Sequence, residues 1–181
     1  MNMNQANGKL LHTTATVVPI VNADYLTYLT DLIRNAESSI ELLMFAARYY
    51  QGKSGNKVNE FWQLLNRTAA RGVLVRVLLN SNFYQGDSAQ HNRFIAGHFK
   101  APNFHAALSG KSTRLHSKLF IVDDRIVVVG SHNYSTRAFS SNFETSVVVY
   151  SPEVAAEFKS HFERLWKSRQ LVEGRPSCIN G

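Results

Sequence analysis

The chain has little of what would mark several common protein classes. Its single cysteine, Cys178, lies in a polar C-terminal stretch, so no intrachain disulfide can form and cysteine usage leaves the redox compartment open. Prolines number four and glycines ten, without a repeat or a low-complexity segment, which excludes fibrous and disordered classes. The longest unbroken apolar run, Leu42 to Ala47, is far too short to span a bilayer, so no transmembrane segment is expected. The opening residues, MNMNQANGKLLHTTATVVPIV, carry one lysine and an apolar stretch interrupted by Pro19, with no cleavage site of small residues. A cytoplasmic location is expected on that ground, or a periplasmic or secreted one if a leader has been trimmed.

Acidic residues are scarce in one region. Between residues 51 and 114 nine lysines and arginines face two acidic residues, and the rest of the chain cancels, so the whole net charge of +7 sits there. Lys53, Lys57, Arg67, Arg71, Arg76, Arg93, Lys100, Lys111 and Arg114 fit either a surface for a polyanion, nucleic acid or anionic lipid, or a merely solubilising face.

What is present is a chain of 181 residues with 44% hydrophobic and 18% charged composition, the profile of one globular domain. Tyr25, Leu26, Leu29, Leu32, Ile33 and Ala36 recur at helical spacing, and residues 39–47, SIELLMFAA, form an apolar run of strand length. A second helix is expected over 59–71, closed by Gly72, then a strand over 73–79 and a short helix over 89–99 with His91, Arg93 and His98 near its surface. Strand-like runs follow at 115–122, 126–129 and 145–150, and Pro152 opens a closing helix to about Gln170. The pattern predicts an α/β fold, a mixed central β-sheet flanked by helices, over residues 17–170, with an N-terminal extension at 1–16 and a polar tail at 171–181.

The stretch LHSKLFIVDDRIVVVGSHNYS, residues 115–135, carries the chemistry. Residues two apart on a strand share a face, so His116 and Lys118 point the same way. An imidazole there can attack phosphorus while the neighbouring ammonium binds the phosphate oxygens and the growing negative charge. Gly130-Ser131-His132-Asn133 ends the next strand, where a hydroxyl and an amide complete a phosphate cradle. Such chemistry needs neither metal nor cofactor, and the stretch lacks the carboxylate clusters and paired histidines of a metal phosphodiesterase.

The spacing His116-x-Lys118-x4-Asp123-x6-Gly130-Ser131-x-Asn133 resembles the HKD motif of the phospholipase D superfamily, and the chain looks most similar to its small, single-motif bacterial endonucleases. The resemblance implies His116 as nucleophile, with Lys118, Ser131 and Asn133 on the scissile phosphate. It implies Glu144 as the carboxylate that hydrogen-bonds the His116 imidazole, and Asp123 as a supporting residue of the catalytic set. Asp123 also fits a hairpin turn, and Glu144 a polar strand edge. His132 has no defined role, with a second-shell or substrate contact weakly favoured. His12, His91, His98, His105 and His161 read as ordinary histidines rather than ligands; Tyr49 and Tyr50 fit either base stacking or core packing.

Family members need two motifs, one histidine to attack and one to protonate the leaving oxygen. With one motif per chain, a homodimer is the simplest way to supply both. The expected activity is a metal-independent phosphodiesterase working through phosphohistidine, with nucleic acid, DNA or RNA, as substrate. Phospholipid is the alternative enzyme substrate, and a catalytically silent nucleic-acid-binding dimer the alternative of another class.

Overall fold

The computed structural model describes residues 13–83, 86–110 and 112–171. Most of the expected N-terminal extension and tail, with His12, Lys111 and Cys178, lies outside them. Seven strands form one sheet: β1 (Thr16–Val21), β2 (Ser39–Met44), β3 (Leu74–Leu79), β4 (Phe104–Leu108), β5 (Lys118–Val122), β6 (Ile126–Gly130) and β7 (Thr145–Tyr150). Five helices join them: α1 (Asp24–Asn35), α2 (Lys57–Ala70), α3 (Ser88–His98), α4 (Thr136–Ser140) and α5 (Pro152–Lys167). The strand order is β1-β7-β6-β5-β2-β3-β4. β2, β3 and β4 are parallel and linked through α2 and α3, whereas β5, β6, β7 and β1 pair antiparallel. The expected α/β architecture is the one observed.

Alternation along the strands splits the core in two. Ile40, Leu42, Val75, Val77, Phe120, Val128 and Val148 meet α1 to α4 on one face, while Leu43, Leu78, Leu119, Ile121 and Val127 meet α5 on the other. α2 starts at Asn56, whose side chain accepts from the amides of Val58 and Asn59, and stops at Gly72, whose φ of 114° suits glycine. Ser151 caps α5, with Pro152 in its first turn.

Three elements differ from expectation. β1 contains Pro19, which interrupts the apolar stretch; it is tolerated because β1 is an edge strand. β4, FHAAL, lacks β-branched residues and becomes a strand through its place beside β3. α4 spans only five residues. The apolar run of β2 also hides a charge. Glu41 is fully buried in mid-strand and paired with Arg76, which in turn reaches Glu163 on α5 at 2.6 Å.

That pairing changes the reading of the basic segment. Arg76 bridges β3 to β2 and α5, and Arg71 donates to the carbonyls of Ile33, Arg34 and Ala36, closing the C-terminus of α1. Both arginines are therefore committed inside the fold. Lys57 and Arg67 lie exposed on α2 and Arg93 on α3, while Arg114 stands beside His116. Among the described residues no helix is long and apolar enough to cross a membrane.

Candidate active site

The chain runs from β2 outward to β3 and β4, then returns to place β5 on the other side of β2. Such a reversal opens a crevice at the strand ends. The last residues of β2 and β6 and the first of β5 and β7 meet there, at a cleft of about 630 Å³. His116, Lys118, Ser131, Asn133 and Glu144 all line it.

His116 is exposed, and its ring lies 4.5 Å from that of Phe45, at the end of β2. Lys118 is buried, with Nζ 3.4 Å from each ring nitrogen of His116, 2.9 Å from the His116 carbonyl oxygen and 5.2 Å from the Phe45 ring centre. Desolvation, then the charges of Lys118 and Arg114, holds the His116 imidazole below its ordinary pKa, so it is neutral and carries a free lone pair at neutral pH. Burial also lowers the Lys118 ammonium, while Glu144 partly restores it.

Asn133 accepts from the amide of Ala46 at 3.3 Å through its side-chain oxygen. Its amino group makes no hydrogen bond among the described residues. Ser131 is engaged differently. Its hydroxyl donates to Glu144 Oε2 in a short bond and accepts from the Thr145 amide at 3.1 Å. Glu144 also receives Asn142 Nδ2 at 3.0 Å. The expected Glu144 bond to His116 is not formed within the chain among the described residues: each carboxylate oxygen receives one donor, from Ser131 and from Asn142, and Glu144 stands just before the first residue of β7.

Asp123 falls outside the cleft. It sits at the far end of β5, about 16 Å from Lys118 at strand spacing, with a left-handed φ of 50°. Its carboxylate takes the amides of Glu37, Ser38 and Ser39 and the Ser38 hydroxyl, tying the α1–β2 turn to the β5–β6 hairpin. Burial raises its pKa, but these donors lower it further, so it is held below the usual carboxylate range. Among the described residues its hydrogen bonds are thus to the α1–β2 turn, away from the cleft.

His132 is wholly buried and stacks on Tyr25 with ring centres 4.0 Å apart. Nδ1 lies 2.8 Å from the Ser146 hydroxyl and Nε2 3.0 Å from the carbonyl oxygen of Asn22. Asn22 in turn accepts from the Glu144 amide through its side chain at 3.1 Å. His132 and Asn22 thus form a strut under the motif turn, in place of a substrate contact; the left-handed φ of 52° at Asn22 was the sequence-invisible part. Gly130 is required by close approach, because a Cβ there would collide with Ser146 and the Thr145 carbonyl.

The remaining candidates separate. His91 is buried, accepting from the Tyr49 amide at 3.3 Å, so it is not near the surface as its helix pattern suggested. Tyr49 stacks on Phe94, and the Tyr50 hydroxyl accepts from the Thr136 amide, which places both in packing. His98 and His105 are exposed. His161, expected to be an ordinary histidine, instead lines the cleft from α5.

Residues 29–166 match the family described as cardiolipin synthase, PLD-like domain. The mitochondrial cardiolipin hydrolase of Mus musculus is 28% identical over 132 residues, covering 73% of this chain and 53% of that protein. The chain thus spans about half the length of this curated relative. The crystal structure of Nuc, a phospholipase D family member from Salmonella typhimurium, superposes with a TM-score of 0.70 at 19% identity, over 87% of this chain and 97% of that one. NucT from Helicobacter pylori superposes with a TM-score of 0.69 at 20% identity, over 87% and 99%. These two likenesses show that the fold is shared.

Proposed function

Because the chain belongs to the phospholipase D-like domain family, we propose that it is a phosphodiesterase that cleaves nucleic acid through a phosphohistidine. The observation that carries this reading is the neutral His116 imidazole beside the Lys118 ammonium at the mouth of the cleft. His116 attacks phosphorus, a P–N bond forms, and the P–O bond to the leaving group breaks. Lys118 and the Asn133 amino group stabilise the charge gathering on the phosphoryl oxygens. Water then attacks phosphorus, passing a proton to the imidazole that protonated the leaving group, and the P–N bond breaks to release His116 as neutral imidazole. No metal is needed in either step, because the nucleophile and the charge stabilisation come from side chains.

The leaving oxygen needs a proton, which the attacking imidazole cannot also supply. A second copy of the chain would supply it through its own His116, which the negative charge of the bound phosphate keeps protonated while the first copy attacks. The sheet supports such a partner. The face of β1, β7 and β6 beyond α5 presents Val17, Pro19, Val21, Val129 and Val147, with Val17 54% and Val21 49% exposed, beside the cleft. An apolar sheet face of this kind next to a half-complete site fits a two-fold contact between copies.

A phospholipid substrate is the second reading, favoured by the names of the curated relatives and by Phe143, which is 97% exposed next to Glu144. The test compares wild type with His116→Ala on plasmid DNA, RNA and phosphatidylcholine vesicles in EDTA. Cleavage of a nucleic acid by wild type, lost in the variant, is expected. Cleavage of lipid alone rejects the nuclease reading, and no cleavage by wild type returns the protein to a binding module.

A further inference from the structure

Two hollows meet at His116. Besides the cleft of about 630 Å³ there is a smaller one of about 310 Å³, and the two share His116, Ser117 and His161. α5 forms their common wall. Phe158, His161, Leu165 and Ser168 recur at three- and four-residue spacing along one side of that helix, and pass from the larger hollow to the smaller. His161 stands at the junction.

The smaller hollow has an apolar floor of Leu78, Leu115 and Leu165 and a polar rim that includes Ser112, Ser168 and Arg114. A phosphodiester held at His116 and Lys118 carries two esterified groups, and the smaller hollow receives whichever points toward β3 and β4. Its volume and character suit a planar group with apolar faces and polar edges, which describes a nucleobase. Long acyl chains would need an extended apolar groove in its place. Burial, then the Arg164 charge, lowers the His161 pKa, so its ring is neutral near pH 7; Nδ1 lies 3.5 Å from the Arg164 guanidinium, which leaves Nε2–H as the donor.

We infer that the smaller hollow is the subsite for one nucleoside unit adjoining the scissile phosphate, and that His161 contacts that unit as a specificity-determining residue. The inference rests on the nuclease reading and deepens it. Two variants test it: His161→Ala, and Ser168→Trp, which obstructs the hollow from an exposed rim position. The substrates are a single-stranded DNA oligonucleotide and methyl p-nitrophenyl phosphate, a diester with no nucleoside. In both variants the oligonucleotide KM is expected to rise about tenfold with kcat within about twofold and base preference beside the cut is expected to flatten, while in Ser168→Trp, whose site lies in the smaller hollow alone, turnover of the small diester is expected to stay at the wild-type rate. Equal losses on both substrates in Ser168→Trp overturn the subsite, as does an unchanged oligonucleotide KM and preference in variants of an active enzyme. Cleavage of the small diester and of phosphatidylcholine vesicles, but not of the oligonucleotide, by wild type removes the nuclease reading and the subsite with it.

Discussion

At the scale of single residues, the cleft separates groups that act from groups that hold. His116→Ala is expected to lower activity by ~10³-fold or more while leaving thermal unfolding unchanged, since the side chain is exposed. The lowered pKa of His116 has a defined sign: the neutral nucleophile persists below the 6.5 of ordinary imidazole, so activity falls only as pH drops through that lower value. An NMR titration of its Cε1–H should show this, and in Lys118→Met the midpoint should move upward as one of the charges depressing it is removed. A midpoint unmoved by that change would refute the Lys118 contribution. Gly130→Ala is expected to cost ~2–4 kcal/mol in urea unfolding, because the added methyl meets β7 backbone that cannot withdraw. The closeness of His116 and Lys118 was legible from their spacing, although the strand expected over 115–122 begins only at Lys118, as β5, and His116 stands two residues before it. The partner of Glu144 was not, because a sequence offset fixes which strand end a side chain occupies and not which neighbour reaches it first; Ser131 and Asn142 do.

At the scale of elements, two buried charge sites decide how the sheet is anchored. Asp123 joins the α1–β2 turn to the β5–β6 hairpin, and its depressed pKa means it stabilises the fold above its unfolded value. That contribution is lost as pH falls through the folded pKa, so Asp123→Asn should unfold more easily at pH 7 by ~2–4 kcal/mol and show a flatter acid denaturation curve than wild type. Arg76 holds Glu41 in mid-β2, where burial pushes the carboxyl pKa up against the pull of Arg76 and Lys159. Arg76→Met leaves that carboxylate poorly paired and is expected to cost ~3–5 kcal/mol, with much of the loss recovered in the Glu41→Gln, Arg76→Met double variant. Additive losses in urea titrations of the four proteins would argue against the pairing. Periodicity exposed α1, α2, β3 and α5 because their apolar stripes are regular. β1 and β4 escaped it, since Pro19 breaks one run and Ala106 and Ala107 weaken the other, and both strands owe their state to neighbours distant in sequence.

At the scale of the whole molecule, among the described residues one face of the sheet is covered by four helices and the other by α5 alone, which leaves the valines of β1, β7 and β6 beside the cleft. Val17→Lys with Val21→Lys should shift the protein to monomer in sedimentation velocity and remove activity together; an active monomer would refute a shared site. The strut of His132 and Asn22 has a consequence for where this chain can be cut. The region matching the family begins at residue 29, yet Asn22, which receives the Glu144 amide and the His132 ring, lies upstream of it. A fragment trimmed to residues 29–166 would keep every motif residue in sequence and lose the peg that seats Glu144. The unit that seats Glu144 therefore reaches back at least to Asn22, just after β1, beyond the stretch by which its ancestry is recognised.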